Sequence, residues 1–348
     1  MKVAILPMEI ASYISTTGRA LRKSGITTFT INTATTDKRY QKENYNLTLQ
    51  RNESVSFYGS LSKTLAQEFD VLNYAWGESI FSDFSDVLYA KSRGKKTIPS
   101  FLGSDVRRYK FAKNISPYFE YDNQPDDGRK ERKLAFWSDI NNRTAITGSE
   151  EMELLVSDFF DTCHNIGYGG MDEYLRMKTV FSQGEAITIV HAPSNPRIKG
   201  TEYVRQAIKK IKERLGEEKI NYIELTDVSH KEALEIYSRA DIILDQFKIG
   251  GLGYLAHEAM ALGKPVVTYV SPKIIELLPE HPPILNTSPQ EIHDNLSYLI
   301  KDKNLIYNLG EKSKKYIQKY HTHKSFTNRV KHAFTQKTAV KTSDYSEQ

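Results

Sequence analysis

The 348-residue sequence has one cysteine, Cys163, two tryptophans and no long apolar run. A single cysteine excludes an internal disulfide and a cysteine-cluster metal site, so we expect a buried or half-buried structural thiol. No stretch approaches the roughly 20 consecutive apolar residues that a transmembrane helix needs. The apolar start at residues 3–6 is too short for a signal peptide and predicts a first strand instead. These absences predict a cytoplasmic protein.

A strong charge of either sign is also missing. The net charge is +5, with 26% charged and 39% hydrophobic residues. No recognisable nucleic-acid-binding motif is present, so we expect no nucleic-acid partner. Basic and aromatic residues do cluster at 107–111 and 129–137. A solvated surface is one interpretation, and the other is peripheral contact with an anionic membrane at its inner face or with a lipid-phosphate-linked acceptor.

The length and the order of predicted elements favour two α/β domains. A chain of this size exceeds one ordinary α/β domain, so two separate cores are expected. Strands alternate with helices in the first half, as a doubly wound parallel sheet requires. The strands are predicted at 3–6, 27–31, 70–74, 96–101 and 144–147, and the helices at 17–23, 82–92 and 149–159. The glycine-rich segment 165–172 is the expected hinge, which places the domains at 1–165 and 173–325.

The most informative stretch is residues 240–270, ADIILDQFKIGGLGYLAHEAMALGKPVVTYV. It predicts a strand at 241–246, a glycine-rich loop, a helix at 254–262 and a second strand at 266–270. Glycines allow the backbone to approach a ligand closely. The helix N-terminus presents free N–H groups and the positive end of its dipole. This arrangement suits a diphosphate.

Two motifs in the second half carry a family resemblance. The sequence Gly251-Leu252-Gly253, followed by EAMA at 258–261 and GKPVV at 263–267, resembles the donor-site signature of retaining GT-B fold glycosyltransferases of family four. The segment HAPSNPRIKG at 191–200 is similar to the family's loop that ends in Lys-Gly. The resemblance implies an α/β protein with two Rossmann-like, doubly wound domains that face a central cleft. It also implies that segment 326–348 crosses back to the first domain as a helix and ends in a frayed tail.

The resemblance also implies a set of donor-binding residues. It places Lys199 and Arg197 at the diphosphate and Glu258 on the nucleotide ribose. The full donor-binding set is Arg197, Lys199, Gly250, Gly251, Leu252, Gly253, Tyr254 and Glu258. The family usually has a further glutamate at the sugar, where this chain has Gly250, so we expect Gly250→Glu to change donor preference. His191 closes a predicted strand and either contacts the donor or is a hydrogen-bonded structural residue.

Loops of the first domain should face the same cleft, because ligands bind beyond the carboxyl ends of parallel strands. Thr17 and Gly18 lie in one such loop, and Asp105 lies in FLGSDVR at 101–107, which resembles a segment at the family's sugar-facing rim. Asp105 is either a catalytic group beside Lys199 or an ordinary helix N-cap. The loop after the first strand has no GxGxxG fingerprint, which argues against NAD.

Paired carboxylates are not found where a metal site would need them. Asp83 and Asp86 fall in a predicted amphipathic helix, whereas Asp126 and Asp127 fall in a predicted loop rather than at a strand end. The sequence therefore predicts no metal site.

We therefore predict an enzyme, a retaining and metal-independent glycosyltransferase that moves a sugar from a nucleotide-sugar donor to an acceptor hydroxyl in polysaccharide or glycoconjugate synthesis. The donor is a substrate, with a UDP-sugar favoured, and no cofactor is expected. The acceptor would be a sugar or a lipid-linked sugar. The alternative is a catalytically weak GT-B homologue that binds nucleotide and acts as a partner or regulatory subunit. Gly250 keeps this alternative open. An epimerase on the same fold would not explain the motif.

Overall fold

A computed structural model describes residues 1–10, 12–33, 45–50, 53–121, 127–182 and 184–336. The predicted frayed tail from residue 337 onward lies outside the described residues. The strands of the first half are β1 (Lys2–Leu6), β2 (Thr27–Thr33), β3 (Leu47–Leu49), β4 (Val71–Ala75), β5 (Lys96–Phe101), β6 (Thr144–Thr147) and β7 (Thr162–Asn165). The helices are α1 (Tyr13–Lys23), α2 (Val55–Glu68), α3 (Ser85–Ser92), α4 (Tyr109–Ile115), α5 (Asp127–Ile140) and α6 (Glu150–Val156).

The first sheet is parallel and covered on both faces. Among the described residues its strand order is β3-β2-β1-β4-β5-β6-β7, and each of its pairings is parallel. Residues 3–6 of β1 are each 0% exposed. Strands that are apolar at every position belong inside a sheet with helices on both sides. The strand ends that could hold a ligand therefore lie along one edge.

The second half begins with helix α7 (Asp172–Leu175). Its strands are β8 (Ile187–His191), β9 (Ile220–Glu224), β10 (Ile242–Leu244), β11 (Val266–Thr268) and β12 (Leu285–Asn286). Its other helices are α8 (Pro196–Lys199), α9 (Thr201–Leu215), α10 (His230–Arg239), α11 (Tyr254–Ala261), α12 (Pro272–Ile275), α13 (Ile292–Leu299), α14 (Lys303–Tyr320) and α15 (His323–Thr335).

The second sheet contains a topological switch point. Within the described part of the chain, its order is β12-β11-β10-β8-β9 and its pairings are parallel. The chain moves from β8 outward to β9, then returns to β10 on the other side of β8. In open parallel sheets such a reversal leaves a crevice at the carboxyl ends of the two central strands. The loops after β8 and β10 meet there.

The last helix returns to the first domain. Helix α15 packs against α1. Its residues Phe326, Val330 and Phe334 share a hydrophobic core cluster with Val3 and Ile14 of the first domain. The first and second sheets span residues 2–165 and 187–286. The boundaries 1–165, 173–325 and 326–348 stay predictions.

Several elements differ from the sequence-based expectation. Helix α1 begins at Tyr13 rather than at Thr17, because the Glu9 carboxylate accepts hydrogen bonds from the N–H groups of Ile14 and Ser15. Helix α5 covers the basic run at 129–133, and it begins at Asp127, so the loop prediction for that residue is wrong. Helices α2 and α4 and strands β3 and β7 had no sequence-based prediction. Cys163 lies half-buried on β7.

Among the described residues, no helix combines the length and the apolarity required to cross a membrane.

Candidate functional site

Lys199 lies at the switch point of the second sheet. It ends helix α8, a single turn whose start is capped by the Asn195 side chain, which accepts from the N–H of Ile198. Gly200, at φ 78°, then turns the chain into α9. The Lys199 side chain is 15% exposed, so its ammonium group lies largely inside the loop cluster. The role of Lys199 at the diphosphate stays a prediction.

Asp245 connects Lys199 to the start of α11. Its Oδ1 atom lies 3.2 Å from the Lys199 Nζ, and its Oδ2 accepts from the N–H of Gly253 at 3.1 Å. A Cβ atom at Gly253 would lie 2.5 Å from Asp245 Oδ2, so glycine is required there. Gln246 accepts from Lys199 at 2.5 Å and donates to the carbonyl of Gly251. The two groups that suit an anion, an ammonium and a helix N-terminal N–H, thus converge on one carboxylate.

Glu258 lies buried on α11, where it is 3% exposed. Its Oε1 atom is 2.5 Å from Nε2 of His230, the first residue of α10. Burial raises the pKa of Glu258, and the contact with His230 opposes that shift. The same contact raises the pKa of His230. Tyr174 of α7 adds a further hydrogen bond to the carboxylate.

Gly250 packs against the first domain. Its φ of 90° lies in the region that only glycine adopts readily, and its carbonyl accepts from the N–H of Ser271. A Cβ atom there would lie 3.0 Å from the Cβ of Ser116 in the first domain. The expectation that Gly250→Glu changes donor preference stays a prediction, and the crowding around Gly250 is what that variant would have to accommodate. A glutamate at this position would strain the backbone and displace α4's end.

The other predicted donor-binding residues have different environments. Arg197 is exposed on α8. Leu252 is 8% exposed and belongs to the main core cluster. The Tyr254 hydroxyl donates to the carbonyl of Gly169 in the hinge, and its ring packs edge-on against Tyr168 at 5.4 Å. Tyr254 therefore joins the glycine-rich loop to the segment between the domains.

The two domains touch directly across the cleft. Lys248, whose side chain is 3% exposed, pairs with Glu120 of the first domain at 2.8 Å and with Glu202 of α9 at 2.5 Å. Tyr118 and Tyr269 form an edge-to-face contact at 4.9 Å. These contacts close the cleft on the side of α4.

A second cross-domain contact lies at the centre of the cleft. The position that a Cβ atom of Gly251 would take is 3.3 Å from Glu151 of α6. Glu151 is held in two hydrogen bonds by Arg107, at 2.6 and 3.0 Å. An ion pair of the first domain therefore lies against the glycine-rich loop of the second.

Asp105 is buried in the loop that follows β5. Its carboxylate accepts hydrogen bonds from two backbone N–H groups, that of Leu102 at 3.2 Å and that of Gly103 at 2.6 Å. Burial raises its pKa, with Lys133 acting in the opposite direction. The N-cap of α4 is Arg108, so Asp105 does not cap that helix. It instead shapes the loop that presents Arg107.

Thr17, Gly18 and His191 are not free cleft residues. Thr17 is 0% exposed, and a Cβ atom at Gly18 would lie 2.5 Å from the Thr30 side chain of β2. Both lie within α1 rather than in the loop before it. His191 is 0% exposed and uses both ring nitrogens in the fold, against the carbonyl of Leu244 and the hydroxyl of Thr201, each at 2.9 Å. The structural interpretation of His191 is the one that the geometry favours.

Two cavities differ in their position relative to the cleft. One, of about 30 Å³, lies at the domain junction and is lined by residues that include Thr17, Leu102, Gly169 and Tyr254. The larger, of about 380 Å³, is lined by residues that include Phe181 and Asp241. The Asp241 carboxylate there already accepts from the backbone N–H groups of residues 182 and 188. The residues of the glycine-rich loop therefore do not line the larger cavity.

Some residues of this site had no sequence-based prediction. They are Arg107, Glu151, His230, Asp245 and Gln246. A usable signal existed for Asp245 and Gln246, since polar residues directly after a buried strand lie at the ligand edge of a parallel sheet. His230 opens a helix after β9 and carried a similar signal. Arg107 and Glu151 are brought together only by tertiary folding. Among the described residues, no group of three or more His, Cys, Asp and Glu side chains could hold a metal ion.

Comparisons with known proteins agree with this architecture. Residues 174–316 match the family model described as Glycosyl transferases group 1. The chain is similar in structure to sucrose-phosphate synthase from Thermosynechococcus elongatus, with a TM-score of 0.64, 14% identity, and coverage of 96% of this chain and 98% of that chain. It is also similar to HepE from Anabaena, solved with UDP and glucose, with a TM-score of 0.65, 10% identity and coverage of 97% and 100%. A glycosyltransferase from Rickettsia africae gives a TM-score of 0.65, 12% identity and coverage of 97% and 99%. No curated protein matches the sequence.

The two facing parallel sheets and these similarities define the fold as GT-B. The part of the chain that matches Glycosyl transferases group 1, residues 174–316, carries Lys199, the glycine-rich loop and Glu258.

Proposed function

We propose that this protein is a retaining and metal-independent glycosyltransferase, and that it moves a sugar from a nucleotide-sugar to an acceptor hydroxyl. The observation that carries the proposal is the convergence of Lys199 and the Gly253 N–H on the Asp245 carboxylate. A diphosphate would compete with that carboxylate for the same two groups. A UDP-sugar is the favoured donor, and the structure of HepE with UDP and glucose supports this choice.

The leaving nucleotide diphosphate needs positive potential as the glycosidic bond breaks. Lys199, the N–H groups at the start of α11 and the exposed Arg197 can supply it without a divalent ion. Glu258 would accept hydrogen bonds from the ribose hydroxyls and so fix the nucleotide. The acceptor hydroxyl would attack from the face that the phosphate leaves, which retains the configuration. Asp105 would act by holding the loop that carries Arg107 at the sugar.

The acceptor belongs to the proposal as well. A sugar or a lipid-linked sugar would suit a role in polysaccharide or glycoconjugate synthesis. Arg129 and Arg132 are the exposed basic residues of α5, and to them we assign a peripheral contact with an anionic membrane.

A nucleotide-binding partner subunit with weak catalysis is the second candidate. The observation that favours it is the packing of Gly250 against Ser116, which leaves no carboxylate of the glycine-rich loop at the sugar. Glu151 of the first domain lies against that loop, however, and offers a carboxylate from the opposite side. For this reason the active transferase remains the main proposal.

A donor screen tests the main proposal. We expect slow hydrolysis of one nucleotide-sugar among UDP-, GDP-, ADP- and dTDP-sugars, with the UDP-sugar fastest and the rate unchanged in EDTA. Loss of turnover in EDTA that manganese restores would overturn metal independence. Nucleotide binding without hydrolysis or transfer from any of these donors would favour the partner subunit.

A further inference from the structure

We propose that His230 is a positioning residue for the nucleotide, which holds the Glu258 carboxylate ionised and oriented toward the ribose diol. The inference rests on the proposed function, since it assumes that Glu258 receives the ribose. His230 is not part of the motif that carries the family resemblance. The geometry that points to it is a contact of 2.5 Å between Nε2 of a 38% exposed imidazole and Oε1 of a carboxylate that is almost fully buried.

The topology of the second sheet brings the two residues together. The chain passes from β9 through α10 to β10, and from β10 through α11 to β11, moving in one direction across the sheet. Because both crossovers are right-handed in such sheets, α10 and α11 lie on the same face. The first turn of α10 then meets the second turn of α11 near the carboxyl edge, where a ligand approaches. A capping box formed by Ser229 and Glu232 fixes the start of α10 and hence the imidazole.

Charge explains why Glu258 requires such a partner. An ionised carboxylate at 3% exposure is costly unless it is paired or hydrogen-bonded, and the buried group otherwise takes up a proton. A protonated glutamate would lose part of its capacity to accept from two ribose hydroxyls. Burial indeed raises the pKa of Glu258, and His230 is the largest influence that lowers it.

The other groups around Glu258 do not replace the imidazole. Tyr174 of α7 contributes a neutral hydrogen bond, and Asp245 adds negative charge, which raises the pKa of Glu258 further. Burial raises the pKa of Tyr237 of α10 and that of Tyr254 of α11, and the negative charge of Glu258 raises both further. His321, which directly follows α14, packs edge-on against His257 instead, with ring centroids 4.5 Å apart. Among the described groups, His230 is thus the one whose contact lowers the pKa of Glu258 most.

The proposal predicts the direction in which nucleotide affinity changes with pH. Nucleotide binding needs ionised Glu258, so affinity should fall as the pH drops through the Glu258 pKa. Without His230 that pKa moves upward, because the group that lowers it is gone. The acid limb of the affinity profile should therefore shift to higher pH in His230→Ala, and the loss should recover in alkaline solution.

Calorimetric titration of UDP from pH 5.5 to 9 tests the proposal. At pH 7 we expect His230→Ala to bind UDP about tenfold more weakly than the wild type, which corresponds to one pKa unit. At pH 9 the two affinities should agree within about threefold, because Glu258 is then ionised in both. His230→Gln, which keeps a donor without the charge, should show an intermediate shift. A loss in His230→Ala that is the same at every pH would show that His230 does not keep Glu258 ionised, and would overturn the proposal.

Two controls separate this inference from the proposed function. His293→Ala removes another imidazole–carboxylate contact, with Asp294 on α13 at 2.6 Å, and should leave the UDP profile unchanged. The probe 2′,3′-dideoxy-UDP lacks the diol and should bind the wild type more weakly than UDP. Equal binding of the two probes, or no UDP binding at all, would remove Glu258 from the ribose and overturn both proposals. A diol preference that His230→Ala does not alter would overturn only the inference. Circular dichroism and thermal unfolding check that each variant is folded.

Discussion

In each domain a helix follows the loop at the end of a strand. The two helices differ in the groups that accept hydrogen bonds from their N-terminal N–H groups. In the first domain, the Glu9 carboxylate accepts from the N–H groups of Ile14 and Ser15, each at 2.9 Å, and from Tyr45. In the second domain, Asp245 accepts from the Gly253 N–H but also pairs with Lys199. At Glu9 the helix N–H groups are capped only by a side chain of the fold. At Asp245 the Lys199 ammonium group lies beside the carboxylate, and a diphosphate can bind that ammonium group in place of Asp245. The occupant of the helix N-terminus, rather than its dipole alone, distinguishes a structural loop from a ligand site.

The largest expected effect concerns the helix N-terminus of the second domain. Lys199→Ala should lower kcat/KM for the donor about a hundredfold, because a charge-assisted contact worth about 2–4 kcal/mol in the transition state is lost. Steady-state kinetics on the best donor measures it. Lys209→Ala, which removes an exposed lysine of α9 paired with Glu213, is the matched control and should change little. Near-normal turnover in a folded Lys199→Ala protein would remove this residue from the diphosphate site.

An effect on stability tests the first domain. Glu9→Gln should lower the free energy of unfolding by about 1–3 kcal/mol, because an amide has one acceptor oxygen where the carboxylate caps two N–H groups. Urea denaturation measures the change, and UDP affinity should stay within about twofold since the proposed nucleotide site lies in the other domain. Glu68→Gln, at an exposed glutamate beside Lys2, serves as the control.

The pH dependence of this variant has a defined sign. Burial raises the pKa of Glu9, so the folded protein binds that proton more tightly than the unfolded chain does. The contribution of Glu9 to stability therefore falls as the pH rises from the ordinary glutamate pKa toward the raised one. Glu9→Gln should remove this slope. A variant as stable as the wild type, or one that binds UDP differently, would break the contrast between the two helix N-termini.

The smallest effect concerns the contact between the domains. Glu120→Gln should weaken the closed cleft by less than about 1 kcal/mol, because the Glu120 side chain is half-exposed and its ion pair with Lys248 is screened by solvent. Lys248 lowers the pKa of Glu120, so the pair is complete above the ordinary glutamate pKa and is lost as the pH falls through the lowered one. Small-angle scattering without nucleotide should show a slight increase in the radius of gyration.

The control for that measurement is Glu280→Gln, which breaks a comparable exposed pair with Lys319 outside the cleft. If both variants scatter alike, the Lys248 contact does not hold the domains together.

The sequence was sufficient for the parts of the fold that depend on local pattern. The apolar strands β1, β5 and β6 and the helix α11 lie where their periodicity placed them, because strands buried on both faces and a glycine-framed helix leave an unmistakable pattern. The predicted start of α1 was wrong, because Glu9, which lies several residues before the helix, caps its N-terminus. Helix α5 was missed because its basic surface hides the short apolar face formed by Leu134 and Trp137.

For the site, the motifs alone located Lys199, the glycine-rich loop and Glu258 in one crevice, because a strand, a glycine loop and a helix in sequence must meet a ligand at the edge of a parallel sheet. Only the tertiary structure decided the partners of these residues. The pairing of Glu258 with His230, the Asp245 carboxylate between Lys199 and Gly253, and the packing of Gly250 against Ser116 each join distant segments. Such contacts depend on how two crossovers and two domains pack, and local periodicity carries no information about that packing.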